Sequence, residues 1–176
     1  FFLEEPVTPE NSHLIGRFVD STTSPVSTGE RLYSRQEFLP VLQAGIAVAQ
    51  PDLSHAGGIT EVRKIASLAE TFDVQLAPHC PLGPLALAAC LQVGFATYNH
   101  LIQEQSIGIH YNEGADVLDY VLDTAPLRFV DGHIERFTGP GLGIEIDEAA
   151  VRAAGARGHA WRGPIWRHPD GSFAEW

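Results

Sequence analysis

The chain has 176 residues, long enough for one domain with a substantial core, and 44% of them are hydrophobic, which excludes a disordered polymer. Its formal net charge is −11 and Lys64 is its single lysine, so it lacks the basic clusters that bind nucleic acid or an anionic membrane. No apolar run approaches the ~20 residues of a membrane-spanning helix.

Taken in order, the chain repeats one pattern. An apolar, strand-like run ends in a polar residue, and a loop and an amphipathic stretch follow. Phe1-Phe2-Leu3 ends at Glu4-Glu5-Pro6. Ser24-Pro25-Val26-Ser27-Thr28-Gly29 ends at Glu30 and precedes a predicted helix over 34–44. Ile46-Ala47-Val48-Ala49-Gln50 ends at Pro51-Asp52. Next comes the clearest helix, Thr60 to Phe72, with Ile59, Val62, Ile65, Leu68, Ala69 and Phe72 at helical spacing and Thr60 as the expected cap. Val74-Gln75-Leu76-Ala77 ends at Pro78-His79, before a predicted helix over 84–94. Tyr98-Asn99-His100-Leu101-Ile102-Gln103 ends at Glu104.

The polar ends recur about every 25 residues, the length of one strand-plus-helix unit. Such units predict a parallel sheet, either a (β/α)₈ barrel or a doubly wound open sheet. A barrel is favoured because five strands each deliver an ionisable residue at their C-terminal ends, which converge on one mouth in a barrel. An open sheet would focus such residues on a single switch point. A complete barrel needs ~250 residues. The chain also has no methionine and opens on what reads as the middle of a strand. A fragment of a longer protein is therefore expected. Residues 1–123 are expected to form the second half of the barrel, with a short helix over 115–123. Residues 124–176 read as a tail packing on the barrel or its cap, with Trp161 and Trp166 as packing residues. Cys80 and Cys90 form neither a CxxC pair nor a disulfide framework, which suits a reducing cytoplasm.

The strand ends carry the candidate chemistry. Glu4 and Glu30 lie at matched positions on adjacent strands, and hard carboxylate oxygens suit Mg²⁺. Glu5 competes with Glu4, since neighbouring strand residues face opposite sides. Asp52 lies one unit before His79. A carboxylate there can accept from one ring nitrogen and raise the basicity of the other, which makes a general base held by an orienting group. His55 is a rival partner for that pair, read instead as loop structure beside Gly57 and Gly58. Glu104 closes the set and could exchange a hydrogen bond with a developing enolate. Histidines 13, 100, 110, 133, 159 and 168 show no metal-ligand spacing; His110 could line the mouth.

These motifs carry a resemblance. Glu4-Glu5-Pro6, Gly29-Glu30-Arg31, Gln50-Pro51-Asp52, Ala77-Pro78-His79 and Gln103-Glu104-Gln105-Ser106 resemble the enolase superfamily, mandelate-racemase subgroup. The longer stretches QPDLSHAGGITE, LAPHCPLGP, QEQSIGIHYN, PGLGIEIDE and WRGPIWRH resemble its sugar-acid dehydratases, over essentially the whole chain. The resemblance implies the C-terminal part of an enolase-type (β/α)₈ barrel, the N-terminal capping domain and first strands being absent. It implies Mg²⁺ held by Glu4, rather than Glu5, and by Glu30. It makes His79 the base, Asp52 its dyad partner and Glu104 the stabiliser of the ene-diolate. A further aspartate ligand and an acid histidine would precede residue 1, so the chain alone is expected to bind Mg²⁺ weakly and to be inactive. D-galactonate is the expected substrate, with another aldonate or a non-catalytic half-barrel remnant as alternatives. A racemase is disfavoured, because its second base would also lie upstream. A homo-oligomer is expected.

Overall fold

Each apolar run becomes a short strand whose end supplies a polar residue. The computed structural model describes residues 1–108, 116, 118–158 and 165–174. In chain order the elements are β1 (Leu3–Glu4), a 3₁₀ segment Pro9–Leu14 running into α1 (Ile15–Val19), β2 (Val26–Thr28), α2 (Arg35–Gln43), β3 (Val48–Ala49), α3 (Gly58–Glu70), β4 (Gln75–Leu76) and α4 (Pro84–Phe95). The strands form one parallel sheet in sequence order, β1-β2-β3-β4. The register aligns Glu4 with Ser27, Thr28 with Ala49, and Ala49 with Leu76. The fifth run is reduced to one parallel bridge, Leu76 to His100, with the Leu76 N–H donating to the Asn99 carbonyl at 2.7 Å. The Asn99 amide also donates to the Ala66 and Val74 carbonyls, tying this run to α3 and to the start of β4.

The sheet is covered by helices, as parallel strands require. β2 and β3 are buried throughout, and Phe38, Val41, Val62, Ile65, Leu76 and Leu87 form the centre of the core. On α3 the buried stripe is Val62, Ile65, Ala66 and Ala69, one helical face. Ile59 and Phe72, expected on that face, are exposed because they fall at its margins and at the helix ends. The helix also begins earlier than expected. Gly57, in the left-handed conformation at φ 77°, occupies the cap position, so Thr60 lies inside the helix and does not cap it. Ser34 caps α2 by accepting from the Glu37 N–H, and Glu37 accepts in return from the Ser34 hydroxyl and the Tyr33 N–H.

Phe1–Ile146 forms one compact unit and Asp147–Trp176 another. Residues 124–146, assigned to the tail from sequence, fall in the first unit and place Leu127 and Phe137 in its core. The expected helix over 115–123 is a turn at 118–120, while 115 and 117 lie outside the described residues. The second unit holds α5 (Glu148–Arg157), capped by the Asp147 carboxylate, which accepts from the Ala150 N–H at 2.9 Å. Trp166 is exposed rather than packed; Trp161, His110 and His159 lie outside the described residues.

Gly29 lets the β2 end approach its neighbours closely. Its φ is +138°, and a Cβ there would sit 2.6 Å from the Phe38 ring. Gly29→Ala therefore combines backbone strain with overpacking and should destabilise the first unit by about 2–4 kcal/mol. Urea unfolding measures this, and an unchanged midpoint would show that α2 shifts freely at Phe38.

Candidate active site

The parallel register gathers the strand ends along one edge of the sheet, where the ionisable residues meet. Glu4 and Glu5 separate as soon as β1 ends. Glu5 takes a left-handed backbone conformation, φ 46°. Its carboxylate accepts from the Thr28 hydroxyl, from the Gly29 N–H at 2.9 Å, and from the Arg31 Nε and Nη2 at 3.2 and 2.9 Å. All of its capacity goes into joining the end of β1 to that of β2. Glu4 is exposed, and its one side-chain partner among the described residues is the Gln50 amide, which donates to its Oε1 at 2.6 Å. The structure thus gives the two glutamates different work: Glu5 braces the loop and Glu4 keeps a free oxygen.

Asp52 and His79 meet as the sequence leads one to expect. The Asp52 carboxylate is 2% exposed; its Oδ1 accepts from the Ser54 N–H at 2.6 Å and its Oδ2 lies 2.9 Å from His79 Nδ1. His55 Nδ1 is 3.8 Å from the same oxygen and half exposed, so His79 is the orienting partner and His55 flanks it. Because the carboxylate can only accept, the proton of the neutral imidazole sits on Nδ1 and Nε2 carries the lone pair. Nε2 faces the Glu30 carboxylate at 3.5 Å.

Charge settles unevenly across this cluster. Burial by itself would raise the Asp52 pKa, but hydrogen bonds from His79 and the Ser54 N–H overcome it and hold Asp52 below its usual 3.8. Burial likewise works against the imidazolium of His79, and the bond to Asp52 with the charges of Glu30 and Glu104 overcomes that, leaving His79 above its usual 6.5. For Glu30 burial dominates and raises the pKa above 4.5; repulsion from Glu5 and Glu4 adds to it, against attraction from His79 and Arg31.

Glu104 is exposed, and its Oε2 accepts from the Cys80 backbone N–H at 2.7 Å, so the chain just beyond His79 also holds the carboxylate of the fifth run. Cys80 and Cys90 are free, buried thiols; the hydrogen bond with Cys80, with burial added, pushes Cys90 far up and keeps it protonated. Two members of the site escaped the sequence reading. The Cys80 N–H is invisible there, since any residue supplies one. Gln50 left a signal: it stands two residues before Asp52, hence on the same face of an extended chain.

Glu4 and Glu30 fit part of a Mg²⁺ ligand set. Glu5 beside them is neutralised by Arg31, whereas among the described residues no Lys or Arg forms an ion pair with Glu4 or Glu30, and burial, with repulsion from Glu5 and Glu4 added, raises Glu30. Among the described residues no group of three or more His, Cys, Asp and Glu is arranged to hold a metal, so the two carboxylates are an incomplete set.

A sheet of parallel β/α units with an Asp–His dyad and spaced carboxylates at its strand ends has the architecture of a (β/α)₈ barrel and its mouth. The enolase C-terminal domain-like family model matches residues 1–150, and the chain belongs to that family. It is 57% identical over 176 residues to D-galactonate dehydratase of Xanthomonas oryzae pv. oryzae, and 55% identical to that of Variovorax paradoxus, covering 99% of this chain and 46% of each relative. The chain thus spans about half the length of these relatives. Among solved structures, an enolase from Agrobacterium radiobacter bound to sodium and L-malate superposes with a TM-score of 0.85 at 38% identity, covering 98% of this chain and 45% of that one. A mandelate racemase/muconate lactonizing enzyme from Jannaschia sp. matches with a TM-score of 0.76 at 35% identity, covering 93% and 39%. No helix among the described residues is long and apolar enough to cross a membrane.

The dyad makes a pH-dependent contribution to stability. His79 binds its proton more tightly when folded, so its share is full below 6.5 and fades as pH rises through its higher folded value. Asp52 is depressed when folded, so its share is present above 3.8 and lost as pH falls through its lower folded value. The stability gap between the parent and His79→Gln should therefore be widest between these limits and narrow on either side. Urea titrations across that range test this, and a gap independent of pH would contradict the assigned dyad. In ¹⁵N NMR spectra Asp52→Asn should lower the His79 titration midpoint.

Proposed function

We propose that these residues form the base-bearing part of a sugar-acid dehydratase that converts D-galactonate to 2-dehydro-3-deoxy-D-galactonate and water. The observation that carries this reading is the His79 imidazole, held through Nδ1 by buried Asp52, with Nε2 turned toward Glu30 and the strand ends. The identity to D-galactonate dehydratases supports the choice of substrate.

In this reading Nε2 of His79 takes the proton from C2 of the bound aldonate. Asp52 stabilises the imidazolium that forms, as an orienting carboxylate does for a general base. The electron pair left on C2 spreads into the substrate carboxylate, and Glu104, fixed by the Cys80 N–H, is placed to hydrogen-bond the resulting ene-diolate. Collapse of that pair expels the C3 hydroxyl, which takes up a proton from a general acid and leaves as water, while the His79 imidazolium returns its proton to solvent; the enol left behind tautomerises to the 2-keto product. Glu4 and Glu30 would contribute two oxygen ligands to Mg²⁺. When bound, the ion supplies positive charge opposite the substrate carboxylate and so makes the C2 proton more acidic.

The test follows D-galactonate in D₂O by NMR, reading both loss of the C2 proton and appearance of the 2-keto-3-deoxy acid. With two carboxylates but no third ligand grouped beside them, the chain by itself should turn over nothing. Mixed with the portion of the Xanthomonas relative that it does not match, it should restore turnover. His79→Gln in that mixture should then lower the rate by about 10²–10⁴-fold. The rate should rise with pH as His79 loses its proton, with a midpoint above 6.5 that Asp52→Asn moves down. A panel of aldonates decides the substrate: turnover of another sugar acid in preference to galactonate would change the assignment, and reconstituted protein inert toward all of them would leave a half barrel without chemistry.

A further inference from the structure

Gln50 stands at the end of β3, two strands away from β1, yet its side chain reaches Glu4. Its Nε2 lies 2.6 Å from Glu4 Oε1. The residue is only 4% exposed, whereas Glu4 is exposed. Its backbone is fixed as well, since the Gln50 N–H donates to the Thr28 carbonyl at 2.9 Å. A carboxylate only accepts, so the amide must present its nitrogen to Glu4, and this settles which way the amide faces. The consequence is an orphan: Gln50 Oε1 is buried without a hydrogen-bond partner among the described residues. Buried polar atoms are normally paired, and an unpaired one calls for a reason. A residue serving only to fill the core would do better as an apolar side chain of the same volume.

We infer that Gln50 is a positioning residue for Glu4. It pins one carboxylate oxygen of a solvent-facing glutamate and leaves Oε2 free to accept a cation. Glu5 is fixed by an arginine, which neutralises it; Gln50 fixes Glu4 with a neutral donor, which preserves its full negative charge for metal. The inference rests on the reading of Glu4 as a Mg²⁺ ligand, but the clamp itself can be measured without metal.

The experiment uses the whole chain and Gln50→Met, which keeps the volume and removes both donor and orphan acceptor. Side-chain NMR relaxation at Glu4 Cγ reports its order, Mn²⁺ titration by EPR reports metal affinity, and thermal unfolding reports the fold. In Gln50→Met, Glu4 should become mobile and the Mn²⁺ Kd should rise about 10–100-fold, as when other supports of metal ligands are removed. The melting temperature should be unchanged or higher, because the unpaired oxygen has gone. Equal order at Glu4 in parent and variant, or a lower melting temperature with Glu4 unaffected, would overturn the inference and make Gln50 a structural residue. A parent chain that orders Glu4 but binds no Mn²⁺ would sink the metal reading and leave the clamp standing. If Gln50→Met does not fold, the parent's Gln50 amide protons decide. Slow exchange with water that is lost in Glu4→Ala supports the clamp, and exchange at the rate of an exposed glutamine overturns it.

Discussion

The site depends on the in-order parallel register of β1 to β4. Parallel strands joined by helices all point the same way, so whatever follows each strand emerges on the same edge of the sheet. Glu4, Glu30, Asp52, His79 and Glu104 are far apart in the chain and near one another for that reason alone. The strands can be two or three residues long because the helices cover the sheet. The pairing of Ala49 with Leu76 sets β3 and β4 in register, and Asp52 and His79 each stand three residues further on, so their side chains meet.

Within this cluster, burial and pairing divide the acids into two kinds. Asp52 is deep and doubly hydrogen-bonded, so it stays ionised and holds an imidazole. Glu5 is neutralised by Arg31 and braces the loop after β1. Glu4 has no such cation among the described residues, while Glu30 faces His79 and is raised chiefly by burial. Glu4, exposed and without an ion-pair partner among the described residues, keeps its charge open to a positive ligand. An isolated acidic patch gives no such reading. Here the contrast with Glu5, one residue away and fully paired, gives the uncompensated charge its meaning.

Gln50 and the Cys80 N–H extend the same logic one layer outward. Each holds a carboxylate by a single neutral hydrogen bond, and each comes from the segment just before or just after the dyad. The Asp52–His79 pair and the two outer carboxylates Glu4 and Glu104 are therefore mechanically linked through adjacent backbone.

Much of this was legible in the sequence. Repeated apolar runs with polar ends follow from the burial of parallel strands, and helix periodicity located α2, α3 and α4 to within a few residues. The pairing of Asp52 with His79 could be read from their spacing of one β/α unit. Other features required the folded chain. That Glu5 is tied to the β2 end follows from its left-handed backbone and from Arg31, neither of which strand alternation reveals. Gly57 replaced Thr60 as the cap because a glycine can turn left-handed where threonine is strained. Ile59 and Phe72 shared the helical spacing of the buried stripe but lay at its margins, where neighbours rather than period decide burial. Local pattern determines which segments become strands and helices, because it acts through residues near in the chain. Which oxygen of which carboxylate stays free is decided by partners up to 46 residues away, such as Gln50 for Glu4, and only tertiary structure brings those together.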